Sequence, residues 1–288
     1  MPYVGRFAPS PTGALHFGSL LAALASWLDA RRAGGRWLVR MEDLDTPRVV
    51  PGAADAILRQ LESFGLEWDG AVVRQSARLD LYRDAIENLN AHCYPCACTR
   101  KELEDSALAI DGSRIYPGTC RAGLAPGKAA RALRVRTSGE PIRFVDRVQG
   151  GISQSLERDI GDFVVRRADG LYAYQLAVAV DDAAQGVTDV VRGADLLDST
   201  TRQIHLQRLL GFSTPRYLHL PVATNAKGEK LSKQTQALDA RVDDIPGALR
   251  FLGMNPPAGP ASGEMLAWAS KHWDPARIPR ARSIPYDA

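Results

Sequence analysis

Phe7-Ala8-Pro9-Ser10-Pro11-Thr12-Gly13-Ala14-Leu15-His16-Phe17-Gly18-Ser19 joins a short apolar strand, Tyr3–Phe7, to a helix beginning near Gly18. In that helix Leu20, Leu21, Leu24, Trp27 and Leu28 recur at helical spacing as far as Arg31, and Gly34-Gly35 ends it. Trp37–Met41 reads as a second apolar strand leading into Glu42-Asp43-Leu44-Asp45, with helices over Ala53–Phe64 and Leu79–Ala91. Strand, helix, strand, helix argues for a parallel sheet of the α/β class. In such sheets ligands sit beyond the carboxyl ends of the strands, where helix N-termini aim free N–H groups at anions. Pro9 and Pro11 stiffen the loop, and Gly13 and Gly18 let backbone approach a nucleotide closely. His16 falls just before the helix, within reach of a phosphate. A lone histidine is more often structural, but here it stands inside P-S-P-T-G-x-x-H-x-G, where many positions must coincide.

The chain is ordinary in bulk: 288 residues, 45% hydrophobic, 24% charged, net charge +3. That length holds two domains, or one carrying a large insertion. No apolar run approaches the ~20 residues of a membrane helix. The opening Met1-Pro2-Tyr3-Val4-Gly5-Arg6 lacks the basic-then-apolar form of a signal peptide. The expectation is a cytoplasmic monomer without membrane contact.

The pattern changes near Cys93. Ala132–Arg136 and Ile142–Val148 alternate over short runs and are expected as small antiparallel strands. Apolar strands are expected again at Tyr174–Val180 and Val187–Val191, then a helix over Ser199–Leu210. The simplest organisation is a nucleotide-binding fold in two halves, 1–92 and 173–240, split by an insertion over 93–172. A short helical stub follows over 241–288. Within the insertion, Arg121–Arg158 holds eight basic residues against three acidic ones. Phosphate backbones attract such an excess, and a solvated basic face is the plain alternative. Three of the four cysteines, Cys93, Cys96 and Cys98, lie close together, with Cys120 beyond. In a reducing compartment this points to metal before disulfide. Cys96, Cys98 and Cys120 supply three of the four ligands that structural zinc takes, and buried free thiols are the alternative.

Near the other end, Asn225-Ala226-Lys227-Gly228-Glu229 precedes Lys230-Leu231-Ser232-Lys233, a lysine loop that alone means little. Paired with the first segment it is specific. His16–Ser19 and Lys230–Gln234 resemble the two signatures of the class I aminoacyl-tRNA synthetases. Arg6–Gly13 and Arg40–Arg48 resemble the glutamyl branch in particular. Ser19 stands where the first signature has a second His, and Gln234 where the second ends in Ser. The resemblance implies a Rossmann-like parallel sheet and ATP bound with Mg²⁺ as substrate. It places His16, Gly18, Ser19, Lys230, Ser232 and Lys233 on the nucleotide, with His16, Lys230 and Lys233 catalytic. The expected chemistry is attack of a carboxylate on the α-phosphorus, which needs positioning and charge stabilisation but no protein nucleophile.

The same resemblance places Arg6, Phe7, Ala8, Pro9, Ser10 and Arg192 around L-glutamate, with Glu42 facing its ammonium group and Tyr174 beside it. Arg suits carboxylates because its planar fork binds them bidentately. Arg192, in Val190-Val191-Arg192-Gly193, also sits at the end of an expected strand. Tyr172 is a close rival to Tyr174. Asp181-Asp182 offers metal or ribose binding, or merely capping and salt bridging. For the metal, Tyr116 matches an unusual phenolate ligand of one subfamily, beside Cys96, Cys98 and Cys120. Cys93 and His92 are the alternatives.

Only 55 residues follow Lys233, too few for the helical anticodon-binding region of a full glutamyl-tRNA synthetase. Together with Cys-x-Cys and Tyr-x₃-Cys, this resembles the glutamyl-queuosine tRNA(Asp) synthetases. That branch implies glutamate activation without tRNA and transfer to queuosine in the anticodon loop of tRNA(Asp), with Arg121–Arg158 as an RNA surface. The rival expectations are a truncated glutamyl-tRNA synthetase charging a tRNA 3′ end, a small-molecule adenylate-forming ligase, and an inactive RNA-binding paralogue.

Overall fold

The structure, a computed structural model, describes residues 2–225, 227–231, 238–259 and 262–286. β1 (Val4–Phe7) leads through the proline-rich loop into α1 (Phe17–Arg32). Its leucines Leu20, Leu21, Leu24 and Leu28 are all buried, because α1 is covered by sheet on one side and by later helices on the other. Gly34, in the left-handed conformation, turns the chain into β2 (Arg36–Met41). β2 lies parallel to β1 with Val4 opposite Arg36, and β3 (Val73–Arg74) adds parallel to β2. α2 (Ala53–Ser63) and α3 (Leu79–Asn88) complete the opening alternation read from the sequence.

β4 (Cys93–Cys96), β5 (Ala132–Val135) and β8 (Phe163–Arg166) form a small antiparallel sheet. Between β5 and β8, β6 (Ile142–Asp146) and β7 (Gly150–Gln154) pair antiparallel with each other, and the short α4 (Leu156–Asp159) follows. β6 does not stay in the small sheet. It pairs parallel with β10 (Arg216–Leu220), Asp146 opposite Tyr217, so this part of the 93–172 segment is stitched to the main sheet.

Tyr174–Val180, expected as a strand, is instead the start of helix α5 (Tyr174–Ala184). Leu176 through Asp182 are buried without a break, so no polar face marks the period. An apolar run buried all round cannot be assigned to strand or helix by periodicity. β9 (Asp189–Gly193), α6 (Leu197–Leu209) and β10 follow, with β9 and β10 parallel. β9 runs beside β1, where Thr188 N–H donates to Val4 O at 2.9 Å and Val4 N–H to Thr188 Oγ1 at 2.9 Å. The carboxyl ends of β1 and β9 thus open side by side.

β11 (Val222–Thr224) pairs parallel with β12 (Ser283–Pro285), and α7 (Ile245–Phe251) and α8 (Ser262–His272) lie between them in the chain. Both helices contribute to the core around α1. Asp29 of α1 fastens distant segments together. It accepts from Tyr3 Oη (2.6 Å), Arg147 Nη1 and Nη2 (2.6 and 2.9 Å) and Trp273 Nε1 (2.8 Å). Among the described residues, no helix is long and apolar enough to cross a membrane.

Candidate active site

A cavity of about 590 Å³ opens at the carboxyl ends of β1, β9 and β10 and at the N-terminus of α1. Its wall includes Arg6, Phe7, Ala8, Pro9, Ser10, Glu42, Tyr174 and Arg192 at one end, and His16, Gly18, Ser19 and Lys230 at the other. The residues read from the sequence for an amino acid and for a nucleotide thus share one space.

At the amino-acid end the charges are buried and interlocked. Arg40 of β2 is fully enclosed, and its Nη1 donates to Asp182 Oδ1 (2.8 Å) and Gln185 Oε1 (2.7 Å). Its Nη2 reaches Glu42 Oε1 at 3.4 Å. Asp182 Oδ1 also accepts from Arg6 Nε at 3.3 Å, and Arg6 Nη1 lies 3.4 Å from Val191 O. Burial works against charge on Asp182, yet Arg6 and Arg40 hold its carboxyl below the usual carboxylate range. Burial wins at Glu42, whose carboxyl is raised despite Arg40 and Arg6. A cation placed beside Glu42 would restore its charge.

Asp181 and Asp182 resolve as salt-bridging groups. Asp181 lies deeper and accepts from Arg78 Nε (2.6 Å), Gln75 Nε2 (2.8 Å) and Tyr82 Oη (2.8 Å). Tyr174 lines the cavity, whereas Tyr172 packs edge-on against Tyr82 at 5.4 Å, in a second core built around α3, α5 and α6.

At the other end of the cavity, expected from the sequence to take the nucleotide, His16 caps α1. Ser19 N–H donates to His16 Nδ1 at 3.4 Å, and Ser19 Oγ lies 3.1 Å from His16 Nε2. Ser19 therefore steadies the imidazole. The lysine segment comes up beside them, since Thr224 bridges Lys230 and Leu231 N–H donates to Ala223 O at 2.9 Å. Lys230 Nζ lies 2.6 Å from Asp195 Oδ2. Ser232, Lys233 and Gln234 lie outside the described residues.

Some 93–172 residues build a second cluster. The thiol sulfurs of Cys96, Cys98 and Cys120 lie within 4.8 Å of one another. Tyr116 Oη is 3.5 Å from Cys96 Sγ and 3.6 Å from Cys98 Sγ, and Cys98 Sγ is 3.6 Å from Cys120 Sγ. Ligand atoms around a tetrahedral zinc stand about 3.5–3.8 Å apart, and these three separations match that spacing. Burial would raise the Cys120 thiol, but the Ala97 N–H and the Tyr116 hydroxyl bring it down to about 7. Gly161 has a positive φ of 74° and admits Tyr116, because a Cβ there would sit 2.5 Å from Tyr116 O. Cys93, a sequence alternative, points to the other face of β4 and packs in the second core, where burial pushes its thiol up to about 11. His92 is exposed in the short turn before β4 and is not among the residues gathered there.

The basic stretch is less free than its sequence suggests. Arg147 is spent on Asp29, Arg134 stacks 3.7 Å from the Tyr116 ring centre, and Arg121, Lys128 and Arg158 all meet carboxylates. Arg131 and Arg143 are exposed and have no carboxylate partner among the described residues. Two buried residues behind the cavity wall carried no sequence signal. His219 and Asp146 are fully buried, 2.6 Å apart, and stand behind Arg192.

The family model for the catalytic domain of class I (E and Q) tRNA synthetases matches residues 3–248. The glutamyl-Q tRNA(Asp) synthetase of Aromatoleum aromaticum is 61% identical, covering 97% of this chain and 91% of the relative. That of Dechloromonas aromatica is 59% identical over 98% of each. A glutamate-tRNA synthetase structure from Elizabethkingia anophelis superposes with a TM-score of 0.80 at 24% identity. The match covers all of this chain and 68% of that one, a likeness of fold alone. Sequence identity at that level across nearly the full length of both chains places this protein in the glutamyl-Q tRNA(Asp) synthetase family, within the class I (E and Q) tRNA synthetases.

Proposed function

We propose that this protein activates L-glutamate with ATP as glutamyl-adenylate, without RNA, and transfers the glutamate to queuosine in the anticodon loop of tRNA(Asp). The observation that carries the activation step is the single cavity joining Arg6, Glu42 and Arg192 to His16 and Lys230. The acceptor follows from the name its relatives bear.

In this reading Arg6 and Arg192 meet carboxylates, Glu42 meets the ammonium group, and Tyr174 packs beside the substrate. Phe7, Ala8, Pro9 and Ser10 form the wall. ATP lays its phosphates at the N-terminus of α1, where backbone N–H groups and the helix dipole favour anions. Gly18 and Ser19 line that point. A substrate carboxylate oxygen bonds to the α-phosphorus as the bond to pyrophosphate breaks. His16, Lys230 and Lys233 offset the charge that grows on the phosphates, with Ser232 beside them and Mg²⁺ arriving with ATP. A hydroxyl of the cyclopentene-diol then attacks the acyl carbon, and AMP leaves.

We assign one structural Zn²⁺ to Cys96, Cys98, Tyr116 and Cys120. Its contribution would be to fix the 93–131 segment, and Arg134, 3.3 Å from Cys96 Sγ, offsets the negative ligand set. Within Arg121–Arg158, Arg136 lies over the Tyr94 ring, and the exposed Arg131 and Arg143 are the cations offered to RNA. ATP and tRNA as substrates argue for a cytoplasmic location. The test is to supply labelled glutamate, ATP and queuosine-bearing tRNA(Asp), then digest the RNA. Label in the anticodon-loop fragment supports the proposal. Label in the 3′-terminal fragment, where the ester would shield the ribose diol from periodate, would make the protein a 3′-end charging enzyme.

A further inference from the structure

Arg192 is held from behind by a chain that crosses from β10 to β6. Its Nε donates to His219 Nε2 at 3.0 Å, and His219 Nδ1 faces Asp146 Oδ2 at 2.6 Å. Arg192 Nη2 donates to Thr200 Oγ1 at 2.9 Å. Nη1 is buried and has no hydrogen-bond partner among the described residues, although Arg192 lines the cavity. An unpaired buried guanidinium nitrogen is costly, so a partner from the ligand is expected there.

The hydrogen-bond pattern fixes the imidazole. Asp146 Oδ1 is occupied by the N–H groups of Val148 (3.0 Å), Gln149 (2.8 Å) and His219 (3.2 Å). Arg192 Nε can only donate, so His219 Nε2 accepts and the ring proton sits on Nδ1, facing Asp146 Oδ2. The Nε2 lone pair accepts from Arg192 Nε at 3.0 Å, and the Thr200 hydroxyl, 3.2 Å from the same nitrogen, has Leu196 O as its own acceptor at 3.3 Å. Burial and the Arg192 charge keep the ring neutral, bringing its pKa down to about 4. The arrangement has an electrostatic consequence. A carboxylate placed directly on Arg192 would orient the guanidinium but cancel its charge. A neutral imidazole orients it and keeps the charge for the ligand.

We propose that Asp146 and His219 are positioning residues for substrate recognition: Asp146 fixes the tautomer of His219, and His219 aims an uncancelled Arg192 at a substrate carboxylate. The inference rests on reading the cavity as the glutamate site. It also means that the 93–172 segment, through β6, helps shape the pocket.

The test is glutamate-dependent ATP–pyrophosphate exchange with wild type, His219→Ala, His219→Gln and Asp146→Asn, with circular dichroism as a fold control. Loss of an acceptor to a charged group is expected to raise the glutamate KM about tenfold or more in His219→Ala, leaving the ATP KM within about twofold. In His219→Gln the amide oxygen can take the place of Nε2, and most of the loss is expected to return. Asp146→Asn should raise the glutamate KM as well, because an amide N–H at that point favours the wrong tautomer. His219→Glu should narrow the preference for glutamate over glutamine. The inference is overturned if folded His219→Ala keeps the wild-type glutamate KM, or if His219→Gln is no better than His219→Ala. Should His219→Ala fail to fold, wild-type glutamate KM in folded Asp146→Asn overturns it equally. Wild type without any glutamate-dependent exchange would instead defeat the glutamate reading, and the inference with it.

Discussion

Asp182 Oδ1 sits 2.8 Å from Arg40 Nη1, both side chains buried, and the same oxygen takes Arg6 Nε. One carboxylate therefore ties β1, β2 and α5 together beneath the cavity. Removing it leaves two buried guanidinium groups, Arg40 keeping Glu42 at 3.4 Å and Asp181 at 3.8 Å as countercharges. Breaking a buried pair from one side typically costs about 3–5 kcal/mol. Asp182→Ala is expected to lose stability of that order in chemical denaturation and to weaken glutamate binding. A loss under about 1 kcal/mol would show that the network contributes little.

His219 gives the fold a pH signature. Its pKa falls from about 6.5 in the unfolded chain to about 4 in the folded protein, through burial and Arg192 despite Asp146. As pH drops, the unfolded state takes the proton first. Stability is therefore full above about 6.5 and declines as pH falls toward 4, by roughly 3 kcal/mol. His205, also lowered by burial, acts in the same direction, so the comparison must be with His219→Gln. The variant is expected to lose less stability between pH 6.5 and 4. Parallel curves would contradict the neutral-imidazole assignment.

Protein purified without chelator is expected to carry about one zinc per chain. Cys120→Ser should lose it, and Tyr116→Phe should release it faster to a competing chelator. Metal analysis that finds no zinc would leave the cluster as free thiols. Equal release from Tyr116→Phe would remove the phenolate from the ligand set.

Gly18 separates stability from activity. A Cβ there would meet His16 Cε1 at 3.1 Å and Leu231 O at 3.5 Å, between the His16 loop and the lysine segment. Gly18 lies in the first turn of α1, where Ala is the better helix former by up to about 1 kcal/mol. Gly18→Ala is expected to hold or raise the melting temperature while lowering pyrophosphate exchange about tenfold. Unchanged exchange would mean that these segments need no close approach.

The proline-rich loop was legible because Pro9, Pro11, Gly13 and Gly18 constrain backbone locally, and the loop does join β1 to α1. Arg192 was legible from its place at a strand end. The choice between Tyr172 and Tyr174 was not, since it depends on Tyr172 turning onto Tyr82 just before α5 begins, and Leu176–Asp182 hides its period by being buried all round. Asp146 and His219 left no mark in the sequence, because strands far apart in the chain bring them together. The basic stretch misled in degree. Arg147, Arg134 and Arg121 find partners that only the folded chain provides.

In the proposed reaction glutamate activation precedes the arrival of RNA. Its most direct test is ATP–pyrophosphate exchange by the full chain, with Mg²⁺ and L-glutamate and with RNA removed by nuclease. Exchange that depends on glutamate, and is lost when glutamine replaces it, is the predicted result. Exchange that appears only when tRNA is added back, or not at all, would contradict the account.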